Sequence, residues 1–201
     1  METFVIDLPK EKTTIWDLYV PILQTADARE TTIYLTEGFG AASEYNEACH
    51  LLSTAKAGDK VKLIICNGGG STAAAYYLID AINNSKATVV GHCVGFVASA
   101  ATVVAMACSD LTIADNTNFM CHNYSHDAAG SGAQVKEYVT YIDREFKRAT
   151  KEEYAGFLTD KEISDITDHD KEVWLNAEDV REKWANRQKY LKGLKVKKVT
   201  K

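Results

Sequence analysis

Apolar and polar positions along the chain switch repeatedly between two periods. Short β-branched runs alternate with stretches in which apolar residues recur three and four apart. Residues 31–35 (TTIYL) read as a strand, and residues 44–55 carry helical spacing through Ala48, Leu51 and Leu52. Residues 61–66 (VKLIIC) form a second strand that runs into a glycine cluster. A helix over 72–84 follows, with Ala75, Leu78, Ile79 and Ile82 on one stripe. A strand over 87–91 and an Ala-rich helix over 98–107 come next, then short strands at 110–114 and 118–121. Residues 134–158 predict one long amphipathic helix with the stripe Val135, Tyr138, Val139, Ile142, Phe146, Ala149. Such alternation, with near-continuous apolar strands, predicts a single α/β domain whose strands are largely parallel and covered. Both prolines, Pro9 and Pro21, precede the first clear strand. Residues 1–30 therefore read as an N-terminal extension, with a short helix or strand around 15–23.

Composition changes this picture little. With 46% apolar and 25% charged residues the chain suits a soluble globular protein, and a net charge of −5 argues against nucleic-acid binding. From Arg181 onward there are nine Lys/Arg and one acid, Glu182, so residues 187–201 read as a basic C-terminal tail. The start METFVIDLPKEK has charges inside its apolar run, unlike a signal peptide. The longest apolar stretch, 87–108, is interrupted by Gly91, His92 and Gly95, which argues against a membrane span. Five cysteines (Cys49, Cys66, Cys93, Cys108, Cys121) without CxxC spacing point to free buried thiols in a reducing compartment, most simply the cytoplasm.

Candidate chemistry lies at two strand ends. Ser99 stands at the junction where the β-branched run Thr88-Val89-Val90, followed by small residues and a glycine, gives way to the Ala-rich helix, beside unpaired N–H groups and the positive end of the helix dipole. Those groups can hold a developing oxyanion, although an N-cap is the commoner use of such a serine. The strand VKLIIC ends in Asn67-Gly68-Gly69-Gly70-Ser71, where glycines let backbone N–H groups approach a ligand. Neither the GxxxxGK[ST] nor the GxGxxG spacing of nucleotide loops is present, so an oxyanion loop fits better. Of five histidines, His122 follows a strand and precedes a polar segment, which suits a general base. His50 and His92 read as surface or structural. His122 with His126 lacks a convincing third metal ligand, and a Cys121–His122 dyad fails because adjacent strand residues face opposite sides. No metal and no cofactor are expected.

These residues carry a resemblance. IYLTEGFG, CNGGGS, CVGFVAS, FMCHN and the acidic loop before WLNAEDV occur in the order and spacing of the ClpP family, over roughly residues 32–184. That family forms the proteolytic chamber of an ATP-dependent protease. The resemblance implies a ClpP/crotonase-like spiral of βαβ units with a handle helix region, and a serine peptidase domain over 31–186. The G-x-x-A-S motif assigns Ser99 as nucleophile, and the histidine after an apolar strand maps onto His122. The S-P-G-G-S turn maps onto 67–71 and makes Gly69 the first oxyanion donor, with Ala100 the second. The family aspartate, three residues before a Leu-Ser-Ala motif, falls on Glu172 before Leu175-Asn176-Ala177; Asp170 is the alternate acid, and Asp168 is nearby. Gly68 stands where the family usually has proline. Lys62 and Ile64 stand where it usually has aromatic residues that help to dock the unfoldase.

The segment 127–134 resembles the handle region, where an edge strand receives substrate; the substrate-binding candidates are Gly130, Ser131 and Gly132 there and Gly70 in the glycine loop. The implied protein is a serine endopeptidase that cleaves unfolded polypeptide through an acyl-enzyme, in a homo-oligomer of two stacked heptameric rings. An AAA+ unfoldase partner would meet atypical docking positions; neither nucleic acid nor membrane is expected as a partner. Three alternatives compete: a catalytically silent ClpP-like subunit, a crotonase-fold acyl-CoA enzyme, and a maturation or signal-peptide-type peptidase.

Overall fold

The computed structural model describes residues 22–24, 30–125 and 127–199. Its contacts fall into two compact units, the first ending at Thr117 and the second beginning at Asn118, where the sequence pattern predicts one continuous domain. Most of the expected N-terminal extension, and His126, lie outside the described residues.

In the first unit, β1 (Ile22–Gln24) pairs antiparallel with β2 (Glu30–Leu35). A 3-10 turn at Ala42–Tyr45 leads into α1 (Asn46–Thr54), then β3 (Lys60–Asn67), α2 (Thr72–Asn84), β4 (Thr88–Ala98), α3 (Ala100–Ala107) and β5 (Asp110–Ile113). The pairs β2–β3, β3–β4 and β4–β5 are all parallel. Each helical crossover moves the chain one strand further across the sheet, which gives the α/β spiral of βαβ units. One sheet face supplies the core: Ile33, Leu35, Val61, Leu63, Ile65, Val89, Cys93 and Val97 are buried, together with Leu52, Leu78 and Val104 from the helices. Along β3 buried and half-exposed residues alternate, so Lys62, Ile64 and Cys66 occupy the other, partly open face. The expectation of strands covered on both faces therefore fails here. The apolar run VKLIIC hides an alternation because Ile64 and Cys66 are apolar without being buried.

β4 runs to Ala98, well beyond the predicted end at residue 91. Its ladder with β3 pairs Ile65 with Cys93 and resumes at Asn67 with Val97. β4 thus spends Val94, Gly95 and Phe96 where β3 spends only Cys66. This bulge, with Gly95 at φ 66°, swings the strand end over the glycine loop that follows β3.

In the second unit, β6 (Asn118–Cys121) pairs antiparallel with β7 (Val173–Asn176), from Asn118–Asn176 to Cys121–Val173. Between them lie α4 (Gly132–Glu153) and α5 (Asp160–His169), and α6 (Ala177–Val199) follows β7. A capping box of Ser131 and Gln134 starts α4. The helix ends at Glu153, five residues short of the predicted end at Leu158. There the chain bends through Gly156 at φ 75°, which lets Tyr154, Phe157 and Leu158 be buried off the helix axis.

The edge strand expected at 127–134 is not formed among the described residues. Ser131 caps α4 with its hydroxyl, Gly132 opens that helix, and Gly130 sits before it at φ 147°. The expected separate tail also gives way: residues 187–199 continue α6. Its Arg187 is buried and donates from Nη1 to the Ala155 carbonyl at 2.8 Å, which anchors the bend after α4.

Candidate active site

Ser99 adopts φ 56°, ψ −131°, outside the left-handed helical well and in a region that side chains other than glycine's rarely occupy. Such strain costs on the order of 1–3 kcal/mol and persists where the surroundings impose it. The hydroxyl caps no backbone N–H of α3, so the N-cap reading is not met. The turn is held instead by Thr102, whose N–H and Oγ1 both donate to the Ser99 carbonyl, at 2.9 and 2.6 Å. Ser99 thus stands half-exposed on a sharp strand-to-helix turn, the arrangement that presents a serine Oγ for attack. Ala100 follows as the first residue of α3, where a helix N–H has no partner within the helix.

The glycine loop lies directly against this turn. A Cβ built on Gly69 would fall 2.6 Å from the Ser99 Cβ, 2.8 Å from the Ala98 carbonyl oxygen and 3.1 Å from the Ala100 nitrogen. Only glycine admits that approach. The loop is stitched to the segment after β2: Phe39 N–H donates to the Gly69 carbonyl at 2.7 Å, and Ser71 N–H to the Phe39 carbonyl at 2.8 Å.

The Gly69 N–H donates to Asn67 Oδ1 at 2.8 Å. It is already committed, which corrects the expectation that Gly69 is the first oxyanion donor. In a trans peptide the C=O and the following N–H point in opposite directions. Since the Gly69 carbonyl faces Phe39, the Gly70 N–H faces the other way. β2 and β4 flank β3 on opposite sides, so that direction is the β4 side, where Ser99 and Ala100 lie. Gly70, expected only as a substrate contact, is the loop's candidate donor.

His122 and the candidate acids belong to the second unit. His122 follows the last residue of β6, and Glu172 precedes the first residue of β7. Carrying the Cys121–Val173 register one step further sets Glu172 across from His122. The Glu172 carboxylate accepts a hydrogen bond from Trp174 Nε1 at 2.8 Å, and among the described residues no hydrogen bond joins it to His122. Asp170 ends α5 in the left-handed conformation, at φ 52°. Asp168 accepts from Ser164 Oγ at 3.0 Å and pairs with Lys147 at 3.3 Å; the Ser164 hydroxyl and the Lys147 ammonium hold its carboxyl below the usual range. Asp168 therefore has partners of its own.

A family model described as Clp protease matches residues 23–183. The chain belongs to the Clp protease family. The matched span contains the glycine loop, Ser99, His122 and Glu172. No curated protein matches the chain. In this Clp protease family member all five cysteines are unpaired. Burial pushes Cys49 up to about 11 and Cys93 up to about 12, which keeps both thiols protonated and poorly nucleophilic. Among the described residues no three or more His, Cys, Asp or Glu side chains form a group that could hold a metal ion. Among the described residues no helix is long and apolar enough to cross a membrane. Sequence reasoning missed Asn67 and Trp174 as site residues. An Asn two positions before a glycine is a signal for the side-chain turn that Asn67 makes; nothing local marks Trp174.

Proposed function

We propose that the chain is a serine-type endopeptidase subunit that cleaves unfolded polypeptide. The strained backbone of Ser99, whose hydroxyl is not used as a cap, is the observation that carries this reading. Ser99 Oγ attacks the scissile carbonyl while His122 takes its proton and then gives it to the leaving amine. Water, deprotonated by the same histidine, then hydrolyses the acyl-enzyme and restores the serine. Ala100 and Gly70 N–H groups hold the oxyanion, each worth roughly 3 kcal/mol in the barrier. Glu172 orients the imidazole, with Asp170 as alternate; the ladder register favours Glu172. Gly70, Gly130, Ser131 and Gly132 are the proposed substrate contacts, and cytoplasmic residence fits the five unpaired thiols.

Two stacked heptameric rings are the proposed assembly. The half-exposed stripe of α4, with Tyr138 and Tyr141 exposed, supports burial of that helix between copies. An unfoldase that docks on the β3 face would meet Lys62 in place of an aromatic ring. The proposal predicts that a fluorophosphonate probe labels the wild-type chain and not Ser99→Ala; equal labelling of both rejects Ser99. One observation favours a second reading, a catalytically silent subunit: Glu172 is bonded to Trp174 and not to His122. An unlabelled wild-type chain would establish that reading.

A further inference from the structure

Three consecutive glycines connect β3 to α2, and two of them hold positive φ: Gly69 at 93° and Gly70 at 127°. Such a segment has many accessible conformations, whereas an oxyanion donor must be fixed before the reaction begins. The family's proline at position 68, which would restrict the loop, is absent. Asn67 supplies a different restraint. It sits at the end of β3 on the buried face, 2% exposed. Its Oδ1 accepts the Gly69 N–H, and its Nδ2 donates to the Glu37 carbonyl in the segment after β2. One side-chain amide therefore ties the loop to itself and to the strand beside it.

We infer that Asn67 is a positioning residue for the oxyanion site. By drawing the Gly69 N–H to its own side chain it fixes the peptide plane between Gly68 and Gly69, and with Phe39 holding the Gly69 carbonyl in the next plane the φ and ψ of Gly69 are set from both sides. The Gly69 carbonyl is then left to Phe39, and the Gly70 N–H turns toward Ser99 and Ala100. The two halves of the amide do separate work. An aspartate could accept from Gly69 N–H but would set an oxygen against the Glu37 carbonyl; a serine is too short to span both partners. This inference rests on the reading of Ser99 as the nucleophile, because it assigns a donor to the carbonyl that Ser99 attacks.

The test uses the full chain with Asn67→Ala and Asn67→Asp, a peptide substrate, and a peptide boronate whose adduct with Ser99 places an oxygen in the oxyanion position. For Asn67→Ala, kcat falls roughly ten- to a hundredfold, less than the roughly 10²–10³-fold for complete loss of a donor. KM stays within about twofold, and boronate affinity falls in proportion to kcat, as expected when only transition-state binding is lost. Asn67→Asp, which retains the acceptor for Gly69, loses less, and it carries the same test where Asn67→Ala does not fold. Hydrogen exchange over residues 67–71 rises in both variants. Unchanged exchange overturns the inference whatever the activity. Raised exchange with unchanged kcat and boronate affinity overturns it as well, since the clamp would then be structural only. Failure of the serine reading shows separately, as a wild-type chain that fluorophosphonate does not label.

Discussion

Gly69→Ala is the sharpest probe of the contact between the glycine loop and Ser99, and Gly68→Ala, one residue away, is its control. At Gly69 the added methyl meets Ser99 Cβ at 2.6 Å and the Ala98 carbonyl oxygen at 2.8 Å, on a backbone at φ 93°. Carbon contacts become favourable only near about 3.5 Å, so the loop must withdraw by nearly an ångström. Left-handed backbone costs an alanine roughly 1–2 kcal/mol, and overpacking a tight site adds about 1–3 kcal/mol. Together about 2–5 kcal/mol is lost, which at this chain length lowers the melting temperature by roughly 5–15 °C. At Gly68 the same methyl meets only the edge of the Phe96 ring, at 3.9 Å, and φ is not positive. That variant melts close to wild type. Misplacing the donor by about an ångström also costs on the order of a hundredfold in kcat. Thermal unfolding and peptide hydrolysis of both variants, side by side, check the reasoning. It is refuted if Gly69→Ala melts within about 2 °C of wild type with kcat retained, or if Gly68→Ala is equally damaged.

Three further outcomes are expected. Glu172→Gln lowers kcat by about 10³–10⁴-fold, as loss of the orienting acid does in serine triads, while Asp170→Asn stays within about threefold; the reverse ranking moves the acid to Asp170. Burial raises the Glu162 carboxyl, but the Lys183 ammonium at 2.8 Å and the Thr159 groups more than offset it, so its pKa lies below the usual range. A carboxyl easier to ionise folded than unfolded stabilises the fold above the ordinary carboxylate range. That contribution disappears as pH falls through the depressed folded value. Lys183→Met should therefore cost roughly 1 kcal/mol at neutral pH, after solvent screening, and flatten the fall in melting temperature on acidification; an unaltered pH dependence counts against the pair. His92 is held below its ordinary value by burial and by Lys62, so its neutral form is favoured in the fold. Its stabilising contribution is present above the unfolded pKa and declines as pH falls below it. In Lys62→Met the His92 ring, followed by NMR titration, should titrate at higher pH; no movement would remove Lys62 as a cause.

The βαβ spiral was legible because strand and helix periods differ, and residues such as Leu63, Leu78 and Val104 obey them locally. Elements whose burial depends on distant partners were not. α5 buries only Ile163, Ile166 and Thr167 among its ten residues, and its charged remainder reads as a solvated loop. The pattern of α4 continues in spacing through Tyr154, Phe157 and Leu158, yet Gly156 turns the chain because Tyr190 from α6 lies against it; a Cβ on Gly156 would fall 2.6 Å from the Tyr190 Cβ. No window of sequence around 156 contains that tyrosine.

The active-site reading divides along the same line. Ser99 was identifiable from its place between a strand and a helix, a property of its neighbours in sequence. Which glycine N–H faces the Ser99 side was not, because it depends on the orientation of two successive peptide planes. Phe39, some thirty residues earlier, holds the Gly69–Gly70 plane through the Gly69 carbonyl, and the Asn67 side chain holds the Gly68–Gly69 plane through the Gly69 N–H. In the first unit the departures from local backbone preference concentrate in the same place: Gly69 and Gly70, the Gly95 bulge, and Ser99 all hold positive φ around the end of β4. Strain of that kind must be balanced by the packing around it. Here that packing is the buried strand face beneath Asn67 and Val97, and the two hydrogen bonds from Thr102 to Ser99. The rigidity of the core and the reactivity expected of the serine are therefore one property: a looser end of β4 would let Ser99 relax into an ordinary cap.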